Sequence, residues 1–208
     1  MKSVLGLVRS LHGSLVFSRR TEALASAIAP MLGPSWTIFD VGCGDGTIAS
    51  RIQYRRPDLE IAGFEVSVRP ETAIPVRAFD GHRIPAADQS CDAVLLIDVL
   101  HHTGDPEELL REARRVARQA IVIKDHRLAR PLAALTLRAM DWVGNRPHDV
   151  VLPYNYWTED CWRRTWRQLG LEIVEYRTSI GLYPGISHLL FERGLHFLTR
   201  LAPARTVS

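Results

Sequence analysis

At 208 residues the chain is long enough for one domain with a substantial core, and its 46% hydrophobic and 24% charged residues are ordinary for a globular protein. A net charge of +3, carried by dispersed arginines with lysine only at Lys2 and Lys124, argues against a nucleic-acid groove. Cys43, Cys91 and Cys161 are odd in number and far apart, with no pair at zinc-ligand spacing, which argues against a disulfide framework and points to a reducing, cytoplasmic setting.

No apolar run is long enough to cross a bilayer. Arg9 and His12 interrupt the short apolar stretch near the start that would otherwise resemble a signal peptide. Residues 1–33 read as a helical cap, with Ala23, Leu24, Ala27, Ile28 and Leu32 on one stripe and Pro30 and Gly33-Pro34 as the stop. Trp36–Phe39 is a strand leading into the turn Asp40-Val41-Gly42-Cys43-Gly44-Asp45-Gly46, and a helix follows over 47–56. Leu59–Val66 is a second strand with Glu65 near its end. Pro75–Phe79 is a third, ending in Asp80-Gly81, and Pro70 and Pro75 make the helix expected in the short interval between them brief or irregular.

Cys91–Asp98 reads as a buried fourth strand. Asp105-Pro106-Glu107-Glu108 opens a helix that runs to about Arg118: a capping aspartate, proline in the first position and acids in the first turn. Ala120–Ile123 is the fifth strand, so strands and helices alternate and imply a parallel sheet covered on both faces. Residues 127–157 break the pattern, with an amphipathic helix over Leu128–Val143 and an aromatic segment Tyr154–Trp157. A helix over Thr158–Leu169 is closed by Gly170 and followed by a sixth strand, Leu171–Tyr176. A seventh strand is expected at Ser187–Phe191, antiparallel to the sixth across the turn Gly181–Gly185. Leu195–Leu201 reads as an amphipathic tail that docks on its own domain, on a second subunit or on a membrane surface.

The glycine turn narrows the ligand. A dinucleotide fingerprint places its third glycine three residues after the second, whereas Gly46 follows Gly44 by two. Asp40 and Asp45 flank the turn, and a carboxylate beside a pyrophosphate is unfavourable. No Gly-Lys-Ser/Thr ending follows, which excludes a P-loop. S-adenosylmethionine (SAM) carries a sulfonium and an ammonium and no phosphate, so carboxylates suit it.

The stretch Asp40–Gly46 closely resembles the first motif of class I SAM-dependent methyltransferases of the small-molecule type. Asp80–Pro85, Asp88–Val94 and Asp98–His102 followed by Asp105-Pro106 are similar to later family segments, in order over about 35–124. The resemblance implies a three-layer α/β, Rossmann-like fold with a seven-stranded, mostly parallel sheet and an antiparallel last strand. It implies a single domain over 1–208, with a SAM-binding core at 35–124, a substrate lid at 127–157 and the C-terminal part of the sheet at 158–193.

Implied for the cofactor are Asp40, Gly42, Cys43, Gly44, Glu65, Asp80, Gly81 and Asp98: the glycines for close approach, Asp40 for the loop or the amino group, Glu65 for the ribose hydroxyls, and Asp80 with Gly81 for the adenine. His101 and His102 past the fourth strand, with His126 past the fifth, are candidate bases. No metal is implied. Asp98-Val99-Leu100-His101 stands where base-methylating enzymes carry an Asn-Pro-Pro-Tyr-like motif, which speaks against nucleic acid. The expected reaction is in-line methyl transfer from SAM to a small hydrophobic or aromatic molecule, in a monomer or homodimer. The alternatives are an NAD(P)-dependent oxidoreductase and a non-catalytic SAM-binding interaction protein.

Overall fold

The computed structural model describes residues 18–129, 137, 155–182 and 194–204. Strand β1 (Thr37–Val41) carries β-branched and aromatic residues that suit an extended backbone packed on both faces. It pairs in parallel with β2 (Glu60–Glu65) on one side and β4 (Cys91–Ile97) on the other. β3 (Val76–Ala78) lies beyond β2, and β5 (Ala117–His126) beyond β4, both parallel. β7 (His196–Pro203) adds antiparallel to β5, and β6 (Leu171–Arg177) closes the edge antiparallel to β7. The order β3-β2-β1-β4-β5-β7-β6 is a seven-stranded, mostly parallel sheet whose strand order reverses between β1 and β4. Ligand crevices in such sheets lie at that switch, past the carboxyl ends of the strands.

Alternation along the central strands builds two cores. Ile38, Leu95 and Val122 face helix α1 (residues 18–28) and helix α2 (Thr47–Arg55), meeting Leu24, Ile28, Ala49 and Ile52. Val41, Leu96, Ile123 and Phe197 face helix α3 (Pro106–Val116) and helix α4 (Glu159–Gln168), meeting Leu109, Leu110, Trp162 and Trp166. The result is the expected three-layer α/β sandwich. Asp105 caps α3 by accepting from the amides of Glu107 and Glu108 at 2.9 and 3.0 Å, and Thr158 caps α4 through the amide of Cys161 at 3.2 Å. Among the described residues no helix is long and apolar enough to cross a membrane.

Several boundaries differ from the sequence expectations. α3 ends at Val116 and β5 begins at once at Ala117, because Arg118 and Gln119 at the strand's start project outward and mask its pattern. The interval after β2 contains no helix; the amide of Ala73 closes it onto the carbonyl of Asp45 at 2.8 Å.

The largest correction concerns the C-terminus. The stretch expected as the seventh strand, 187–191, lies outside the described residues. The segment expected as a docking tail is instead β7, so the sheet extends past residue 193 to Pro203 and this stretch is closed to a membrane surface. His196, Phe197, Leu198 and Thr199 are all buried, on both faces, so the segment lacks the polar face of an amphipathic tail. Residues 1–17 and most of 127–157 also lie outside the described part, including the greater part of the expected amphipathic helix and lid.

Phe197 is fully buried against Trp162, Trp166 and Tyr176, with ring centroids 5.2, 5.7 and 5.8 Å away. Phe197→Ala is therefore expected to destabilise the protein by about 3–5 kcal/mol in urea denaturation, where a peripheral tail would give a change near zero.

Candidate functional site

The turn after β1 is held from the end of β2. The amide of Gly42 donates to the carbonyl of Phe64 at 2.7 Å, and the amide of Gly44 donates to Glu65 Oε2 at 2.7 Å. Glu65 Oε1 accepts from the amides of Val66 and Ser67 at 2.8 and 3.4 Å. Glu65, expected as a ribose acceptor, is thus also the clamp of the glycine turn, with lone-pair capacity left over. Gly42 has φ +72°, and a Cβ there would lie 2.5 Å from Val99 Cγ2. Only glycine lets the turn after β1 touch the turn after β4.

Asp40 is 2% exposed, and among the described residues no donor reaches its carboxyl. Burial, and secondarily the charge of Glu65, push its pKa up to about 7. Asp45 points outward: its Oδ1 accepts from the amide of Thr47 at 3.0 Å, and Arg69 approaches Oδ2 at 3.4 Å. The Cys43 sulfur packs where a Cβ on Gly63 would be 2.4 Å away, and burial followed by the charge of Asp40 raises its thiol well above the ordinary range. Cys43 is therefore a packing residue and not a nucleophile.

The ends of β2 and β3 meet. The amide of Phe79 donates to the carbonyl of Glu65 at 3.2 Å, which sets Asp80 and Gly81 beside Glu65. Asp80 is exposed; its Oδ1 accepts from the amides of His82 and Arg83 at 2.8 and 2.7 Å, and these bonds, Arg83's first, hold its carboxyl below the usual range. Its Oδ2 faces no donor among the described residues.

A second, buried cluster is formed by the last residues of β5 and the turn after β4. Asp98 has φ +56° and pairs through Oδ1 with the ammonium of Lys124 and through Oδ2 with the guanidinium of Arg20 on α1. Burial alone would raise the Asp98 carboxyl, but Lys124 and then Arg20 hold it well below the usual range. In the next layer His101 Nδ1 is 2.6 Å from Asp125 Oδ1, and the amides of Leu100 and His126 donate to Asp125 at 3.1 and 2.7 Å. Burial of Asp125 is likewise outweighed, chiefly by His101, and its carboxyl stays low.

The Nδ1 atom of His126 lies 3.4 Å from that of His101, and burial followed by the charge of Lys124 lowers its pKa, so its ring is neutral at pH 7. His196 on β7 adds a third ring, 4.7 Å from His126 between centroids. His102 is half-buried, its ring 3.9 Å from that of His101. The described end of the expected lid covers this cluster: Tyr156 stacks on His101 at 5.8 Å, and Asn155 Nδ2 donates to the carbonyl of Thr103 at 2.7 Å.

Asp98, His101, Asp125 and His126 place four donor atoms within 4.8 Å of one another, a spacing a divalent ion would accept. The charges argue otherwise. Asp98 is already shared by two cations and Asp125 is bonded to His101 and two amides, so an ion there would face Lys124 and Arg20 unscreened. The cluster is a self-neutralised network.

The structure therefore brings the proposed cofactor residues into one arc across the ends of β3, β2, β1 and β4, and joins the histidines to that arc through Val99. The sequence profile of the family described as a methyltransferase domain matches residues 16–176. The chain belongs to this family. Its methyltransferase domain is 29% identical over 89 residues to the demethylmenaquinone methyltransferase of Thermotoga maritima, covering 39% of each protein. It is 28% identical over 114 residues to the 27-O-demethylrifamycin SV methyltransferase of Amycolatopsis mediterranei, covering 49% of this chain and 41% of that one. The chain spans 28 to 41% of the length of three curated relatives it matches. A solved SAM-dependent methyltransferase of Thermotoga maritima superposes with TM-score 0.62 at 17% identity, over 94% of this chain and 95% of that one, which establishes the shared class I fold.

Sequence reasoning missed Arg20, Lys124, Asp125 and His196. Lys124 and Asp125 carried a signal, since charged residues ending an apolar strand must be paired when buried. Arg20 and His196 carried none: one is an ordinary helix arginine, and the other lies in the segment misassigned as a tail.

Asp40 gives a pH test. An unfolded Asp titrates near 4, and the folded group near 7. Folding therefore takes up a proton between these values, and stability falls as pH rises through that window. Asp40→Asn is expected to gain stability relative to the parent between pH 5 and pH 8, by roughly 2–4 kcal/mol, in ligand-free thermal melts at both values. Equal differences at the two pH values contradict the assignment.

Proposed function

We propose that this methyltransferase domain binds SAM in the arc and transfers its methyl group to a small molecule with an apolar or aromatic body. The observation that carries the reading is the contact of Val99 with Gly42, which abuts an anionic loop on a buried histidine–aspartate pair. The loop fits the cofactor. Asp40 is buried with no hydrogen-bond donor among the described residues, and the charge of Glu65 acts on it, so a cationic ligand relieves their repulsion. A pyrophosphate would add to that repulsion, which weighs against an NAD(P) enzyme.

When bound, SAM supplies a methyl group on a positively charged sulfur. In this reading Gly42 and Gly44 admit its methionyl part, Glu65 receives the ribose hydroxyls on its spare lone pairs, and Asp80 receives the adenine amine through Oδ2. Asp98 contributes by fixing the turn after β4. In the same reading His101, whose Nδ1 donates to Asp125, is the base that takes a proton from the acceptor. Asp125 positions that ring and stabilises it once protonated. His126 and His102 pack the same cluster as reserve candidates. Tyr156, stacked on His101, gives aromatic surface where an acceptor would lie. The names of the two relatives, specifying demethylmenaquinone and 27-O-demethylrifamycin SV, support a small-molecule acceptor. Free cysteines support a reducing, cytoplasmic setting.

Two measurements test this reading. Calorimetry should show SAM binding that Gly44→Val abolishes, because φ +61° excludes a β-branched residue. Turnover of labelled SAM with a metabolite extract identifies the acceptor. Asp125→Asn should then lower kcat by about 10²-fold, leave SAM affinity unchanged and move the acid limb of the pH–rate profile. An unaltered profile removes the base from His101.

A further inference from the structure

Every ionisable side chain of the glycine turn and the β2 end is an acid or a thiol: Asp40, Cys43, Asp45 and Glu65. The amino-acid end of the cofactor proposed above is not purely cationic, since it carries a carboxylate beside its ammonium. Set among these acids, that carboxylate needs a cation. Among the described residues three cations border the turn or the residues next to those that touch it. Lys124 is 1% exposed and committed to Asp98. Arg69 stands over Gly44 on the β2 side and approaches Asp45. Arg20 projects from α1 to Asp98, one residue before Val99, whose side chain touches Gly42.

Arg20 differs from the other two. It shares Asp98 with Lys124, and of the two cations on that carboxylate it is the accessible one. Its side chain is 27% exposed, against 1% for Lys124. Its bond to Asp98 uses one terminal nitrogen, Nη2, so most of the five-donor fork remains for a second carboxylate.

We propose that Arg20, presented by α1 and aimed by Asp98, is the residue that binds the carboxylate of the cofactor's amino-acid moiety. The proposal rests on the SAM reading and adds α1 to the cofactor site. Asp98 is then a positioning residue: it orients the guanidinium, and Lys124 keeps Asp98 ionised.

Decarboxylated SAM, which retains the adenosine, sulfonium and amine, separates this role from a structural one. The parent protein and Arg20→Ala are titrated calorimetrically with SAM and with decarboxylated SAM, and circular-dichroism melts monitor the fold. Arg20→Ala should weaken SAM by the order of tenfold or more and leave decarboxylated SAM within about twofold, with Arg20→Lys between the two proteins on SAM. Equal losses for both ligands would assign Arg20 to the fold and overturn the proposal, as would no loss for either. A parent protein that binds neither ligand would overturn the SAM reading itself, a result distinct from the other three.

Discussion

A lysine sealed inside a protein must be paired, and Lys124 at the end of the central strand β5 is 1% exposed. Its partner, Asp98, lies just beyond β4 in a left-handed conformation (φ +56°) that a non-glycine residue adopts only when its surroundings impose it. The amide of Asp98 donates to the carbonyl of Lys124 at 2.8 Å, so backbone and side chain are tied between the same two residues. Everything nearby inherits this tie. It aims the turn after β4, seats Val99 on Gly42 and sets His101 against Asp125. It also gives α1 its anchor through Arg20. Removing one partner of such a buried pair costs about 3–5 kcal/mol, so the site's geometry and the domain's stability share one interaction.

Charge divides the crevice into two regions. At the ends of β1, β2 and β3 the acids Asp40, Asp45, Glu65 and Asp80 gather, Asp40 buried and held partly neutral by its own desolvation. At the ends of β4 and β5 two cations and two carboxylates compensate each other around neutral His126 and His196. The regions meet at Val99 and Gly42. Such a boundary suits a ligand whose one end carries charges of both signs close together and whose reactive end must lie in a dry pocket.

Much of the sheet could be read from the sequence, because buried parallel strands are short apolar runs between helices with clear caps. Asp105-Pro106 and the apolar run from Cys91 are examples. Legibility failed where a residue's environment depends on distant chain. Phe197 and Leu198 looked like one face of a tail; only insertion between β5 and β6 explains why both faces are apolar. The acids at strand ends were legible because topology makes their positions informative. The Glu65 clamp on Gly44 was not, since the same residue at the same position can face either the ligand or the loop. The His101–Asp125 pair was half legible: two histidines after β4 stood out, but their partner is 24 residues on, in a strand that had seemed merely hydrophobic.

The crevice is proposed to be built for a cationic ligand without a phosphate. The most direct test is a pair of calorimetric titrations of the unaltered protein at pH 8, one with SAM and one with NADH. The account predicts saturable one-site binding of SAM and no heat of binding with NADH. Saturable binding of NADH with none for SAM would contradict it.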